Sequence, residues 1–187
     1  MSALGSGGLR ARSAPVLARF GELRRREGVV DVQELSDLWD ELETVDVHEV
    51  LGEWRGFAFP TGHPVDALLE RRRWYGKRFV SLDEAQPLIC WGEDGELFSD
   101  VGAGKGEASL WNVEFRGEMT ASMVYDGQAV IDHFKRVDDE TLMGVMNGKA
   151  RWVLAHGQHF WFGLERVRGQ GSPGVEVTSV NEERGNR

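Results

Sequence analysis

Cysteine is almost absent. Cys90, the one that occurs in 187 residues, has no partner for a disulfide within the chain, as expected of a protein in a reducing compartment. It lies in the apolar run Pro87-Leu88-Ile89-Cys90-Trp91, so a buried structural thiol is expected there rather than a nucleophile. Long apolar runs are missing too. No stretch approaches a membrane span, and the Gly/Ser-rich N-terminus offers no core for a signal peptide. A cytoplasmic location is the expectation. Positive charge is scarce: 22 Lys and Arg face 31 Asp and Glu, a net charge of −9, which excludes general nucleic-acid binding. The one basic cluster, Arg71, Arg72, Arg73, Lys77 and Arg78, reads as a solvated helix end.

Several catalytic signatures are also lacking. There is no Gly-x-Ser-x-Gly elbow. The loop Gly102-Ala103-Gly104-Lys105-Gly106 fails as a phosphate loop, because Gly106 stands where Ser or Thr is needed and Ser99 where the first Gly belongs. His156 and His159 are three apart, which on a strand sends them to opposite faces, and His48, His63 and His133 are isolated. No metal site is expected. A haem ligand leaves no spacing signature, so haem through His63 or His133 stays open.

What is present is aromatic and glycine-rich: seven Trp, nine Phe and 24 Gly, a composition for strands and tight reversals. Residues 1–14 read as disordered. A helix begins at Pro15, with Val16, Leu17, Phe20 and Leu23 at helical spacing, and a second spans Val32 to Leu42, with Asp31 as N-cap and Glu34 completing a capping box. A short helix covers Val65 to Arg72, Trp74 to Val80 is a turn or extended piece, and Val101 to Ala108 is a Gly-rich loop. From Pro87 onward turn signals recur about every ten residues: Glu93-Asp94-Gly95-Glu96, Arg116-Gly117, Asp126-Gly127, Asp138-Asp139 and Asn147-Gly148. Strands are expected between them, the last two over Arg151–Ala155 and His159–Val167. The fold class is therefore mainly β (α+β): an antiparallel meander forming a small β-barrel or a strongly curved sheet, with short N-terminal helices. One domain is expected over 15–168, followed by a disordered tail at 169–187.

Gly52-Glu53-Trp54-Arg55-Gly56 carries a specific structural expectation. A Trp at the start of a barrel strand plugs one end, flanking glycines let backbone pass its ring, and an Arg from a late strand, here Arg166, stacks over it. Asp132-His133-Phe134-Lys135-Arg136 is the densest polar run in the strands, of which at most half can face one cavity. Asp132 is placed to orient His63 or to anchor Lys77 or Arg78.

These segments resemble the GXWXG proteins, a bacterial and fungal family. The motif at Gly52–Gly56 is followed, as in that family, by Thr61-Gly62-His63-Pro64 and Trp74-Tyr75-Gly76-Lys77-Arg78-Phe79. The family's second half, a domain of unknown function, is similar to Met123–Gly127, Ile131–Asp139 and the ending from Phe160-Trp161-Phe162 to Arg166. The resemblance covers roughly Val45 to Val167, with a GXWXG segment at about 45–80 and a C-terminal segment at about 108–168. It implies one lipocalin-like or pleckstrin-homology-like barrel and assigns no catalytic residues.

The leading functional expectation is a binding protein without a cofactor, holding a small apolar or lipid-like ligand (a fatty acid or phospholipid) in the barrel. Interior candidates are Trp54, Phe57, Phe59, Trp74, Trp111, Phe115, Met123, Tyr125, Phe134, Met143, Phe160 and Phe162. Lys77, Arg78, Lys135 or Arg136 would pair with a head group, and Tyr75, His63, Asp132, His133, Trp161 and Arg166 complete the candidate ligand-binding set. A filled core is the structural rival. The alternatives are a cofactor-independent isomerase, hydratase or hydrolase using His63 and Asp132, and haem binding. A homodimer is the oligomeric alternative to a monomer.

Overall fold

A computed structural model describes residues 14–168. The expected disordered segments lie outside these residues, except Ala14, which opens the first helix. In chain order the elements are α1 (Ala14–Arg25), α2 (Val32–Glu41), β1 (Glu43–Thr44), β2 (Gly52–Ala58), α3 (Pro64–Arg71), β3 (Trp74–Phe79), β4 (Ala85–Trp91), β5 (Leu97–Ser99), α4 (Val101–Gly104), β6 (Ala108–Phe115), β7 (Glu118–Tyr125), β8 (Val130–Asp138), β9 (Thr141–Gly148), α5 (Ala150–Val153) and β10 (Trp161–Arg166).

Eight strands close into an antiparallel up-and-down barrel in the order β2-β3-β4-β6-β7-β8-β9-β10, with β10 returning to β2 from Phe162↔Ala58 to Arg166↔Trp54. Closure removes the sheet edges that an open meander would expose. One seam is thin: β4 and β6 pair only at Ala85↔Ala108, and beyond it β4 turns to β5. β1 pairs with β8 at Lys135 and Arg136, extending the line of β7.

Side chains alternate between two cores. Trp54, Phe79, Met123, Phe134, Phe162 and Leu164 fill the barrel. Val137, Met143, Val145 and Trp161 face outward and are covered by Phe20 and Leu23 of α1 and Leu35, Leu38 and Trp39 of α2. Phe57, Phe59 and Phe115 also belong to this outer layer, and Trp111 is exposed, so these residues and Met143 do not line the interior as the sequence suggested. Lys135 fastens the layer: its buried ammonium donates to Trp39 O at 3.1 Å and pairs with Glu118.

α2 begins as expected, with Asp31 accepting from the Gln33 amide at 2.9 Å. Glu34 does not close a capping box; it pairs with Arg26 of the preceding turn. Asn147-Gly148 makes no hairpin. Gly148 continues β9 at φ +142°, pressed so close to the Ala129 carbonyl that a Cβ would collide with it. The chain then forms α5 where a strand was expected, and α4 occupies part of the expected loop. The basic cluster is divided. Arg71, Arg72 and Arg73 are exposed, Arg78 pairs with Glu53, and Lys77 points into the barrel.

The Gly-x-Trp-x-Gly segment now has a physical reading. Trp54 is buried at one end of the barrel, its indole N–H donating to Val50 O at 2.7 Å. The Arg166 guanidinium lies 4.2 Å from the Trp54 ring centroid and donates to Leu51 O and Glu49 O at 2.7 and 2.8 Å. Gly52 has φ +125°, a conformation that favours glycine, and a Cβ there would sit 3.1 Å from Arg166. Gly56 serves Trp74, whose ring occupies the space where a Cβ would project.

Gly56→Ala is therefore expected to destabilise the fold by about 1–3 kcal/mol through overpacking. Trp74→Ala in the same chain should recover part of that loss, since it removes the clashing ring. Urea denaturation of the two single variants and the double variant checks this; strictly additive losses would contradict it.

Candidate functional site

β2, β4 and β7 alternate in direction with their neighbours, which brings the start of β3, the end of β7, the start of β8, the end of β9 and the start of β10 to the barrel end opposite Trp54. That end is capped by three short helices, α3, α4 and α5, rather than by a bulky side chain. Beneath them lies a cavity of about 210 Å³. Its wall is mostly apolar, with Leu69, Leu88, Met146, Phe160 and Phe162 among the contributors, and Leu68, Ala103 and Trp152 come from the capping helices.

Five polar side chains interrupt the wall, Arg72, Lys77, Tyr125, Gln128 and Asp132, and three of them are bonded to one another. Lys77 of β3 donates to Asp132 Oδ2 of β8 at 2.9 Å and to Pro87 O at 3.2 Å. Tyr125 of β7 donates to the same Asp132 oxygen at 3.3 Å. Lys77 and Asp132 are 3% and 2% exposed, so this is an ion pair inside the barrel and not a surface bridge. The Phe162 ring centroid lies 5.1 Å from the ammonium, with Trp74 and Tyr125 slightly farther away. Burial, reinforced by the charge and hydrogen bond of Asp132, holds the Tyr125 hydroxyl well above its ordinary pKa, so it remains a donor. An ammonium has three N–H groups, and Lys77 uses two. Asp132 Oδ1 has no protein partner among the described residues. Both groups therefore have capacity to spare for a molecule in the cavity.

Of the sequence-predicted site residues, the cavity gathers Trp74, Lys77, Tyr125 and Asp132. The others are elsewhere. Trp54 and Arg166 plug the far end. Tyr75 lies outside the barrel, edge-on to Trp91 and bonded to Glu53, and Arg78 is bound to Glu53 and Gln86. Lys135 and Trp161 lie under α2, and Arg136 pairs with Glu49. His63 and Asp132 do not form an acid–base pair. His63 caps α3, its Nδ1 accepting from the Val65 amide at 3.3 Å, and its ring packs 5.7 Å from Phe160. His133 is on the outer face of β8, stacked 4.3 Å from Phe115, with Ser122 Oγ at 2.7 Å and Asn147 Nδ2 at 3.0 Å.

Two site features escaped sequence reading. Trp152 falls in α5, read as a strand. Gln128, in the β7–β8 turn, donates to Ala103 O and Gly104 O and so ties that turn to α4. Neither carries a sequence signal beyond its residue type. Among the described residues no group of three or more metal-ligating side chains occurs, and no histidine lines the cavity.

The GXWXG protein family model matches residues 37–95, and that of a Domain of unknown function (DUF4334) matches residues 106–166. A crystal structure of a protein from Thermomonospora curvata is 34% identical, with a TM-score of 0.72, over 82% of this chain and 99% of that one. This chain belongs to the GXWXG family. No match was found among curated proteins. The two matched segments are parts of one GXWXG barrel: the first holds β1 to β4, the second β6 to β10, and they join at β2–β10, at Ala85↔Ala108 and where β1 pairs with β8. Lys77 comes from the first and Asp132 from the second, so the ion pair spans the join. No helix among the described residues is long and apolar enough to cross a membrane.

Three histidines give this GXWXG protein an acid sensitivity. Burial lowers the pKa of His133 to about 4, and burial also lowers those of His63 and His159. A histidine held neutral in the fold adds no penalty above its unfolded pKa of about 6.5. Below that, the unfolded chain gains a proton that the folded one refuses, and stability falls by about 1.4 kcal/mol per pH unit per histidine until the folded pKa is reached. Asp66 acts in the opposite sense, since burial raises its pKa to about 6. Comparing His133→Gln with the native chain isolates one group. Between pH 7 and pH 5 the variant's urea-denaturation stability should fall less steeply, by about one proton; equal slopes would contradict the assignment.

Proposed function

We propose that the protein binds a small, largely apolar molecule, about the size of one substituted ring and carrying one polar oxygen group, in the barrel cavity. The observation that carries this reading is the position of the Lys77–Asp132 pair in the wall of an apolar cavity. As pure packing the pair has little to recommend it, because well-packed apolar residues in place of a buried ion pair are often neutral or stabilising. As a recognition element it places a donor and an acceptor, both with unused capacity, at one point of an apolar wall, the arrangement typical of small-molecule sites.

Size narrows the class. A cavity of about 150 Å³ accommodates benzene, so about 210 Å³ suits a ring with short substituents. A fatty acid or phospholipid would need to leave most of its chain outside the mouth. The buried free thiol of Cys90 supports a reducing, cytoplasmic setting for this binding.

The test is calorimetric titration with a panel of phenols, aromatic acids, cyclic ketones and cyclic alcohols, with palmitate as the long-chain comparison. At least one ring-sized compound should bind more tightly than palmitate. Lys77→Met should weaken it by about 10- to 100-fold, the worth of a hydrogen bond to a charged group. No binding across the panel, or binding indifferent to Lys77, would contradict the reading.

One observation favours a second reading, a cofactor-independent proton-transfer enzyme. Asp132 Oδ1 is a free carboxylate oxygen beside the Lys77 cation, the combination needed to take a proton next to a carbonyl while stabilising the oxyanion that forms. Here Asp132 would be the base and Lys77 the electrophilic partner. Incubating a cyclic ketone that binds with the protein in D2O should exchange its α-protons, read by NMR, and Asp132→Asn should abolish the exchange. No exchange above buffer would leave binding alone.

A further inference from the structure

The mouth of the cavity differs from the rest of the surface. Three apolar side chains stand out from the three capping helices: Leu68 of α3 is 41% exposed, Val101 of α4 47% and Trp152 of α5 60%. Leu68 and Trp152 also line the cavity, so they form its lip. Exposed apolar groups occur singly on most proteins. Here each of the three capping helices carries one, and two of the three line the cavity.

Charge follows the same pattern. The three helices with their flanking residues (63–73, 100–105 and 149–153) carry six cations, Arg71, Arg72, Arg73, Lys105, Lys149 and Arg151, against three acids, Asp66, Glu70 and Asp100. That is a net +3 in a chain whose total is −9. Arg72 is paired with Asp100, whereas Arg71, Lys105, Lys149 and Arg151 form no ion pair among the described residues. Lys105 and Arg151 stand 5.7 and 5.5 Å from the Trp152 ring, so an exposed indole is flanked by two cations. An amphipathic aromatic at the tip with cations around it is the composition of a membrane-interface anchor.

We propose that the cavity mouth docks on an anionic lipid surface, with Trp152, Leu68 and Val101 entering the headgroup boundary and the basic ring meeting lipid phosphates. The occupant is argued from charge complementarity. An acidic protein is repelled from an anionic membrane unless it presents a cationic face such as this one, so docking also fixes the orientation, mouth toward the lipid. An apolar ligand would then pass between membrane and cavity without crossing water. The inference concerns the surface, and it holds for the protein without ligand.

The experiment is co-sedimentation of the full chain with extruded vesicles, either pure phosphatidylcholine or phosphatidylcholine with 30% phosphatidylglycerol. Binding to the anionic vesicles is expected, reduced at high salt because exposed charges are screened. Trp152→Ala should weaken it at least fivefold. Arg151→Glu with Lys149→Glu should weaken it by tenfold or more, each basic residue near an anionic surface being worth about fivefold. Trp111→Ala removes an indole that is 57% exposed on the barrel wall, outside the lip, and should leave binding unchanged. No sedimentation with anionic vesicles overturns the proposal. So does equal sedimentation with neutral ones, or a loss in Trp111→Ala matching that in Trp152→Ala. Thermal melts of each variant separate lost docking from lost folding.

Discussion

An eight-stranded barrel has an interior just wide enough for side chains to fill. How this protein divides that limited volume decides the rest of its structure. At one end the space is taken by Trp54, sealed by Arg166 stacked on its outer face and by the carbonyls of Glu49 and Leu51 that hold the guanidinium. At the other end no side chain is buried as a plug in the way Trp54 is; Trp152 lies at the cavity but is 60% exposed. Three short helices cover it instead, and about 210 Å³ remains beneath them. The family's signature residues belong to this division. Gly52 gives Arg166 its place, and Gly56 lets the Trp74 ring lie against β2 at the cavity wall.

Into that remaining space the fold directs a charge. Lys77 and Asp132 come from opposite halves of the chain, 55 residues apart, and meet only because β3 and β8 face each other across the barrel. The burial cost of each is offset by the other, by Pro87 O, by the Tyr125 hydroxyl and by the aromatic faces nearby. A buried lysine is also fastened on the outer side of the same wall, where Lys135 holds α2 through Trp39 O and Glu118. The two lysines differ in what surrounds them. Lys135 is enclosed by a helix and commits its ammonium to Trp39 O and Glu118, which is the setting of a structural clamp. Lys77 faces a cavity with one N–H uncommitted.

Much of this was legible in the sequence. The turn dipeptides and alternating apolar positions after Pro87 give an antiparallel meander, and the Gly-x-Trp-x-Gly spacing with a late Arg gives the plugged end. The misreadings have physical causes. Asn147-Gly148 has hairpin chemistry, but its glycine is used for a close approach to Ala129, so the last connection and α5 were misread. In β8 both faces are buried, one in the barrel and one under the N-terminal helices, so polarity does not report which way a side chain points. Asp132, His133 and Lys135 consequently look alike in sequence, although one lines the cavity and two do not. The partnership of Lys77 with Asp132 depends on barrel closure, which no local pattern encodes.

The central claim is that the Lys77–Asp132 pair marks a ligand site and is not an accident of packing. A crystal structure of the protein bound to the tightest ring-sized compound tests it most directly. The account predicts density for that compound inside the barrel, with its polar atom within hydrogen-bond distance of Lys77 Nζ or Asp132 Oδ1. Density for the compound elsewhere on the surface, with the capping helices collapsed onto the pair, would contradict it.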